Sequence, residues 1–146
     1  MIGMVFVDTN VLVYCRDRSE VTKQPRAEEW IAHLWESGAG RVSIQVLNEF
    51  YVTVTNKLRP GLDPAMARGD VRSLLAWQPV PMDPLAIEEA WGIQDRYGAS
   101  FWDSLIVASA LRAGSRYLLS EDFRDGQIFD GMRVVDPFVH RPHDLE

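Results

Sequence analysis

The sequence predicts an α/β fold, built on a mostly parallel sheet with helices on both faces. Three observations carry that expectation. Strand-like and helix-like segments alternate along all 146 residues. Met4 to Val7 is an unbroken apolar run, as expected of a strand buried on both faces. The longer segments between strands repeat apolar residues at helical spacing and stop at glycines. Strands separated by helices imply right-handed crossovers, which lay the helices over the sheet. In that architecture ligands collect outside the carboxyl ends of the strands, where strand order reverses.

The opening segment, Met1-Ile2-Gly3-Met4-Val5-Phe6-Val7, reads as the first strand. It lacks the basic leader of a signal peptide, and Asp8 interrupts it too early for one. Glu20 to Ser37 is expected to be helical, with Ala27, Trp30, Ile31, Leu34 and Trp35 on one side and Gly38 as its stop. Arg41 to Ser43 is a short strand candidate. Ile44 to Leu58 carries Val46, Leu47, Phe50, Tyr51, Val54 and Leu58 as an apolar stripe. Its β-branched stretch, Tyr51 to Thr55, would also suit a strand, but the spacing favours helix. Pro60-Gly61 marks a break. Asp63-Pro64 caps and opens a helix reaching about Trp77. Pro79 to Met82 reads as a strand, and Asp83-Pro84 starts a helix that Gly98 ends. Ser100 caps a helix from Phe101 to Ala113, which Gly114 stops. Arg116 to Leu119 and Arg133 to Val135 complete a set of about five strands.

Bulk properties narrow the class. The length suits a single domain over residues 1–146, and 47% of the residues are apolar, enough for a real core. No apolar run approaches the roughly 20 residues of a membrane span. Cys15 is the only cysteine, so no internal disulfide can form. That fits a reducing cytoplasm, with Cys15 a small core residue. The net charge of −6 argues against a protein that coats nucleic acid through a basic surface. It does not exclude a nuclease with an acidic, cation-filled pocket. Arg16-Asp17-Arg18 through Lys23 and Arg26 forms a local basic patch, whose plain alternative is a solvated loop and helix start.

Four carboxylates stand out: Asp8, Glu49, Asp103 and Asp122. Each follows or opens an apolar segment, and a charge at such a position needs a partner. Two lie at strand ends and two near helix starts, which allows them to meet at one edge of the sheet. Several carboxylates gathered together indicate a divalent cation, and magnesium suits hard oxygen ligands. Each also has a local alternative. Asp8-Thr9-Asn10 is good turn and capping chemistry. Ser100-x-x-Asp103 resembles a capping box, although the helix it opens is apolar nearly all round and therefore buried. Glu49 flanks an apolar stripe where a glutamate is usually solvated. Asp122 sits in a polar loop with Glu121 and Asp125 as competitors.

Val7-Asp8-Thr9-Asn10-Val11-Leu12, Gln45-Val46-Leu47-Asn48-Glu49-Phe50-Tyr51, Ser100-Phe101-Trp102-Asp103-Ser104-Leu105-Ile106 and Leu118-Leu119-Ser120-Glu121-Asp122 resemble the four acidic motifs of PIN-domain ribonucleases, and more narrowly of VapC-type toxins from type II toxin–antitoxin pairs. The likeness runs from the first strand to about Phe138. It implies a three-layer α/β/α sandwich and a Mg2+- or Mn2+-dependent endoribonuclease acting on single-stranded RNA. It also implies metal ligands at Asp8 and Asp103, with Glu49 and Asp122 completing the pocket and Thr9, Asn10 and Ser104 in support. A VapB-like antitoxin and a homodimer are the implied partners, and Arg16, Arg18 and Lys23 are the expected phosphate contacts. A haloacid-dehalogenase-type phosphatase fits less well, since Asn10 stands where its second acid falls. A signalling receiver lacks its late lysine, as Lys23 and Lys57 are the only lysines. A catalytically silent binding module is the remaining alternative. His140 and His143 are expected in a frayed tail, and the tryptophans mostly in the core or an interface; Trp102, which adjoins Asp103, could stack on a base, but burial is the favoured expectation.

Overall fold

The computed structural model describes residues 3–145, so Met1 and Ile2 of the opening segment lie outside the described residues. The first strand, β1 (Met4–Val7), has Val5, Phe6 and Val7 fully buried, as its unbroken apolar run requires. A short helix, α1 (Thr9–Tyr14), follows at once and is capped by Asp8. Then come α2 (Lys23–Ser37), β2 (Gly40–Arg41) and α3 (Ile44–Val52), which runs into a wide π-helical turn, Thr53–Lys57. The chain continues through α4 (Pro64–Leu74), a 3₁₀ turn at Leu75–Trp77, α5 (Pro84–Tyr97), α6 (Phe101–Arg112) and β3 (Ser115–Leu119). It ends in β4 (Ile128–Phe129), β5 (Met132–Val135) and a last 3₁₀ turn, Pro142–Leu145.

The five strands form one sheet in the order β2-β1-β3-β5-β4, with helices on both sides. All pairings are parallel except β4 with β5. Strand order therefore reverses at β1, which has β2 on one flank and β3 on the other. Val7 is in register with Leu119, and the Asp8 N–H donates to the Leu119 carbonyl at 3.0 Å. The residues that follow, Asp8 and Ser120, thus emerge side by side at the carboxyl edge of the sheet.

The helices were the most legible elements. Asp63, Asp83 and Ser100 each cap the expected helix by accepting from a backbone N–H, and Pro64 and Pro84 occupy the first turns. α2 begins three residues later than expected, because Asp17 ties the Ser19 N–H and hydroxyl into a preceding turn. Within α2, Trp30 is fully buried and its indole N–H donates to the carbonyls of Pro137 and His140. Replacing it with alanine should cost about 3–5 kcal/mol.

Four expectations are corrected. Pro79 to Met82 is no strand: only Val80 bridges to Ser43, because Pro79 and Pro81 have no N–H to extend the ladder. Its place among the five is taken by β4, joined to β5 through Asp130 and Gly131, both at positive φ. The tail is docked: His140 contacts Asp125 at 2.7 Å, and Phe138 packs edge-on against Tyr14. Trp102 is 62% exposed, and Trp35 and Trp91 are also exposed, which leaves Trp30 and Trp77 as the core tryptophans.

Candidate active site

The carboxyl edge at the junction of β1 and β3 gathers most of the expected residues. Asp8 is 6% exposed. Its Oδ1 accepts from the Thr9 N–H at 2.8 Å, and its Oδ2 accepts from the Ser120 hydroxyl at 2.8 Å. Burial pushes the Asp8 carboxyl up to about 6, the two hydrogen bonds pull it back, and the charges of Asp122 and Glu49 raise it further. Thr9 donates its hydroxyl to Glu49 Oε2 at 2.8 Å, and Gln45 holds Glu49 Oε1 at 2.8 Å. Asn10 donates its amide to Asp122 Oδ2 at 2.9 Å. Ser120 Oγ accepts from the Asp122 N–H at 3.0 Å, so one hydroxyl joins Asp8 to the loop that carries Asp122.

Asp103 lies in the first turn of α6, exposed to solvent. Its N–H donates to the Ser100 hydroxyl, as a capping box requires, while its carboxylate acts on Asp122 through charge. Asp122 is raised by partial burial first, and then by Glu121, Asp103 and Glu49. The four acids therefore share one edge. Among the described residues, no three acid, imidazole or thiol groups already stand together as a ready ligand set.

The donor chemistry still fits a hard divalent cation: four carboxylates, flanked by hydroxyl and amide groups, with no thiol or imidazole. The pattern of pairing points the same way. None of the four acids has an ion pair with lysine or arginine among the described residues. Their competitors do have partners. Glu121 is bound by Lys23 at 2.9 Å and by the Tyr14 hydroxyl. Asp125 is bound by His140 and the Asp136 N–H.

Other expected residues sit elsewhere. Ser104 is fully buried, with its hydroxyl unpartnered, beneath the exposed turn that carries Asp103. Arg16 is committed to Asp70 through two bonds of 2.7 Å, and Lys23 to Glu121; of the three expected phosphate contacts, only Arg18 has no ion pair among the described residues, and it is exposed. Ser120 and Gln45 had not been singled out. Neither carries charge, and only the β1–β3 register and the α3 face show what they hold.

Comparison with known proteins agrees with this fold. No curated protein sequence matches the chain significantly. Among solved structures, the fold resembles VapC20 of Mycobacterium tuberculosis, described as a sarcin-ricin loop cleaving toxin. The TM-score is 0.62 at 22% identity, covering 88% of this chain and 98% of that one. The PIN domain model matches residues 5–128, from within β1 to the start of β4. Those residues include all four acids and the strands and helices that present them, and the chain belongs to the PIN-domain family.

Proposed function

We propose that this chain is a divalent-metal-dependent endoribonuclease that cuts single-stranded RNA and acts as the toxin of a VapBC-type pair. One observation carries the reading: four carboxylates without ion pairs to lysine or arginine among the described residues share the edge where strand order reverses. Asp8 is the buried one of the four; an acid buried without a counter-charge is costly, and a bound cation offsets that cost. Asp8 and Asp103 would hold a Mg2+ or Mn2+ ion, with Glu49 and Asp122 completing its surroundings. Such an ion supplies a nucleophilic water near neutral pH and neutralises charge on the phosphate.

The protein's own groups do the positioning. Ser120 and the Thr9 N–H fix both oxygens of Asp8, and Thr9 and Gln45 fix both oxygens of Glu49. Asn10 orients Asp122. Such supporting bonds set ligand direction and basicity. Arg18, exposed and without an ion pair among the described residues, is available to an RNA strand.

The reading carries further expectations: a VapB-like antitoxin, a homodimer and a cytoplasmic setting. Among the described residues, no helix is long and apolar enough to cross a membrane. The test is incubation of the purified chain with single-stranded RNA, with and without Mg2+ or Mn2+. Metal-dependent internal cleavage that Asp103→Asn abolishes is the expected result. No cleavage with either metal, or wild-type cleavage by a folded Asp103→Asn variant, overturns the proposal.

A further inference from the structure

A hollow of about 450 Å³ adjoins the site at Glu49. Thr9, Asn10 and Glu49 form the wall it shares with the site, and Asn48, Thr53 and Lys57 form the far wall. Val52 adds an exposed apolar face. The size falls within the roughly 300–1,000 Å³ of small-molecule sites.

Asn48, Val52 and Thr53 line the hollow from α3 and its extension, and Lys57, four residues after Thr53 at the end of the π-helical turn, lines it from the next turn. The Leu58 N–H closes the turn on the Thr53 carbonyl at 3.1 Å. The returning chain pins it: the Leu62 N–H donates to the Val54 carbonyl at 2.8 Å, and a Cβ on Gly61 would lie 2.6 Å from the Thr55 carbonyl oxygen.

Lys57 is exposed and has no ion pair among the described residues. Its neighbour Glu49 is bonded instead by Thr9 at one oxygen and Gln45 at the other. A free ammonium beside amide and hydroxyl groups, at the rim of an acidic site, is suited to an anion with polar edges.

We infer that this hollow is a nucleotide subsite of the RNA path. Lys57 binds the phosphate neighbouring the one that is cut, and Asn48 and Thr53 contact the attached sugar or base. The inference rests on the ribonuclease reading above and adds a residue outside the acidic motifs and outside the Arg16–Lys23 patch.

The experiment compares the full-length wild type with Lys57→Met, Lys57→Arg and Lys57→Glu. Cleavage of a single-stranded RNA is measured at several salt concentrations, alongside melting temperature. Lys57→Met is expected to raise KM roughly 3- to 10-fold, with kcat within about twofold and an unchanged melting temperature. The log–log salt dependence of KM should flatten by about 0.7, the loss of one phosphate contact on a single strand. Lys57→Arg should restore both, and Lys57→Glu should weaken binding beyond Lys57→Met. If the wild type cuts RNA while Lys57→Met and Lys57→Glu keep its KM and salt slope, the subsite is refuted and the ribonuclease reading stands. A wild type that cuts no RNA removes both.

Discussion

Asp8 and Asp83 are both aspartates that cap a helix, and their surroundings treat them in opposite ways. Asp83, at the start of α5, is gripped by Arg112 through bonds of 2.8 and 2.9 Å, and this pairing holds its carboxyl down at about 2. Asp8, at the end of β1, is buried with only a hydroxyl and an N–H as partners and is pushed up to about 6. The first arrangement joins α5 to α6 and strengthens the fold. The second works against folding when ionised, because charge is removed from water without a counter-charge. A protein keeps such an acid where a ligand completes it, and strained carboxylate pKa values accordingly mark functional sites. The contrast separates an acid that holds the molecule together, Asp83, from one that the proposed function assigns to a cation, Asp8.

The largest expected effect tests the site directly. Asp8→Asn should lower metal-dependent RNA cleavage at least roughly 100-fold while leaving metal-free thermal stability equal or higher, since a buried charge is removed. Arg112→Met should do the reverse, lowering the melting temperature and sparing cleavage. If both variants lost stability and activity together, the division between the two kinds of acid would collapse.

The next effect is on stability against pH. Asp8 binds its proton more tightly folded than unfolded, so its cost is complete above about pH 6 and disappears below the ordinary carboxylate range. Asp83 binds its proton less tightly when folded, so its contribution is present above about pH 4 and is lost as pH falls through about 2. Metal-free protein should therefore gain up to about 3 kcal/mol from Asp8 on going from pH 7 to pH 4. Mg2+ or Mn2+ at a hundred times its dissociation constant should return about 2.7 kcal/mol at pH 7. Denaturant melts at both pH values, with and without metal, read this out. A metal-free stability that climbs steadily from pH 4 to 7 would contradict the account of Asp8.

A smaller effect sharpens the role of the supporting shell. Ser120→Ala removes the hydroxyl that joins Asp8 to the Asp122 loop and should reduce cleavage about 10- to 100-fold, with secondary structure by circular dichroism intact. The smallest is Glu121→Gln. It breaks the pair with Lys23 and should shift the melting temperature down by about 2–5 °C, with cleavage within about twofold. Strong loss of cleavage in Glu121→Gln would move the fourth acid from Asp122 to its neighbour.

Much of this was legible in the chain itself. β1 was bounded by an apolar run that ends at a charge. α5 and α6 were bounded by Asp83-Pro84, Gly98, Ser100 and Gly114, because capping is a local matter of a few backbone groups. Ile44 to Leu58 read as one helix, but periodicity gave no sign of the widening at Thr53–Lys57, which depends on Gly61 and Leu62 returning against it. β4 was missed because two residues make no pattern, although Asp130-Gly131 is itself a hairpin signal. The tail was misjudged because the groups that dock it, Trp30, Asp125 and Tyr14, are distant in sequence.

The sequence by itself determined the α/β class, most helix limits, the PIN-type motifs and the four acids, since these follow from local spacing and residue chemistry. The tertiary structure alone decided how those acids are held. The parallel register of β1 with β3 placed Ser120 against Asp8, and the α1–α3 packing placed Thr9 against Glu49. It also decided which cations are spent, with Arg16 on Asp70 and Lys23 on Glu121, while Lys57 stays open beside the site. The physical reason is that a pKa or a partner depends on what is desolvated beside a group, and pairings between distant segments exist only once the chain has closed on itself.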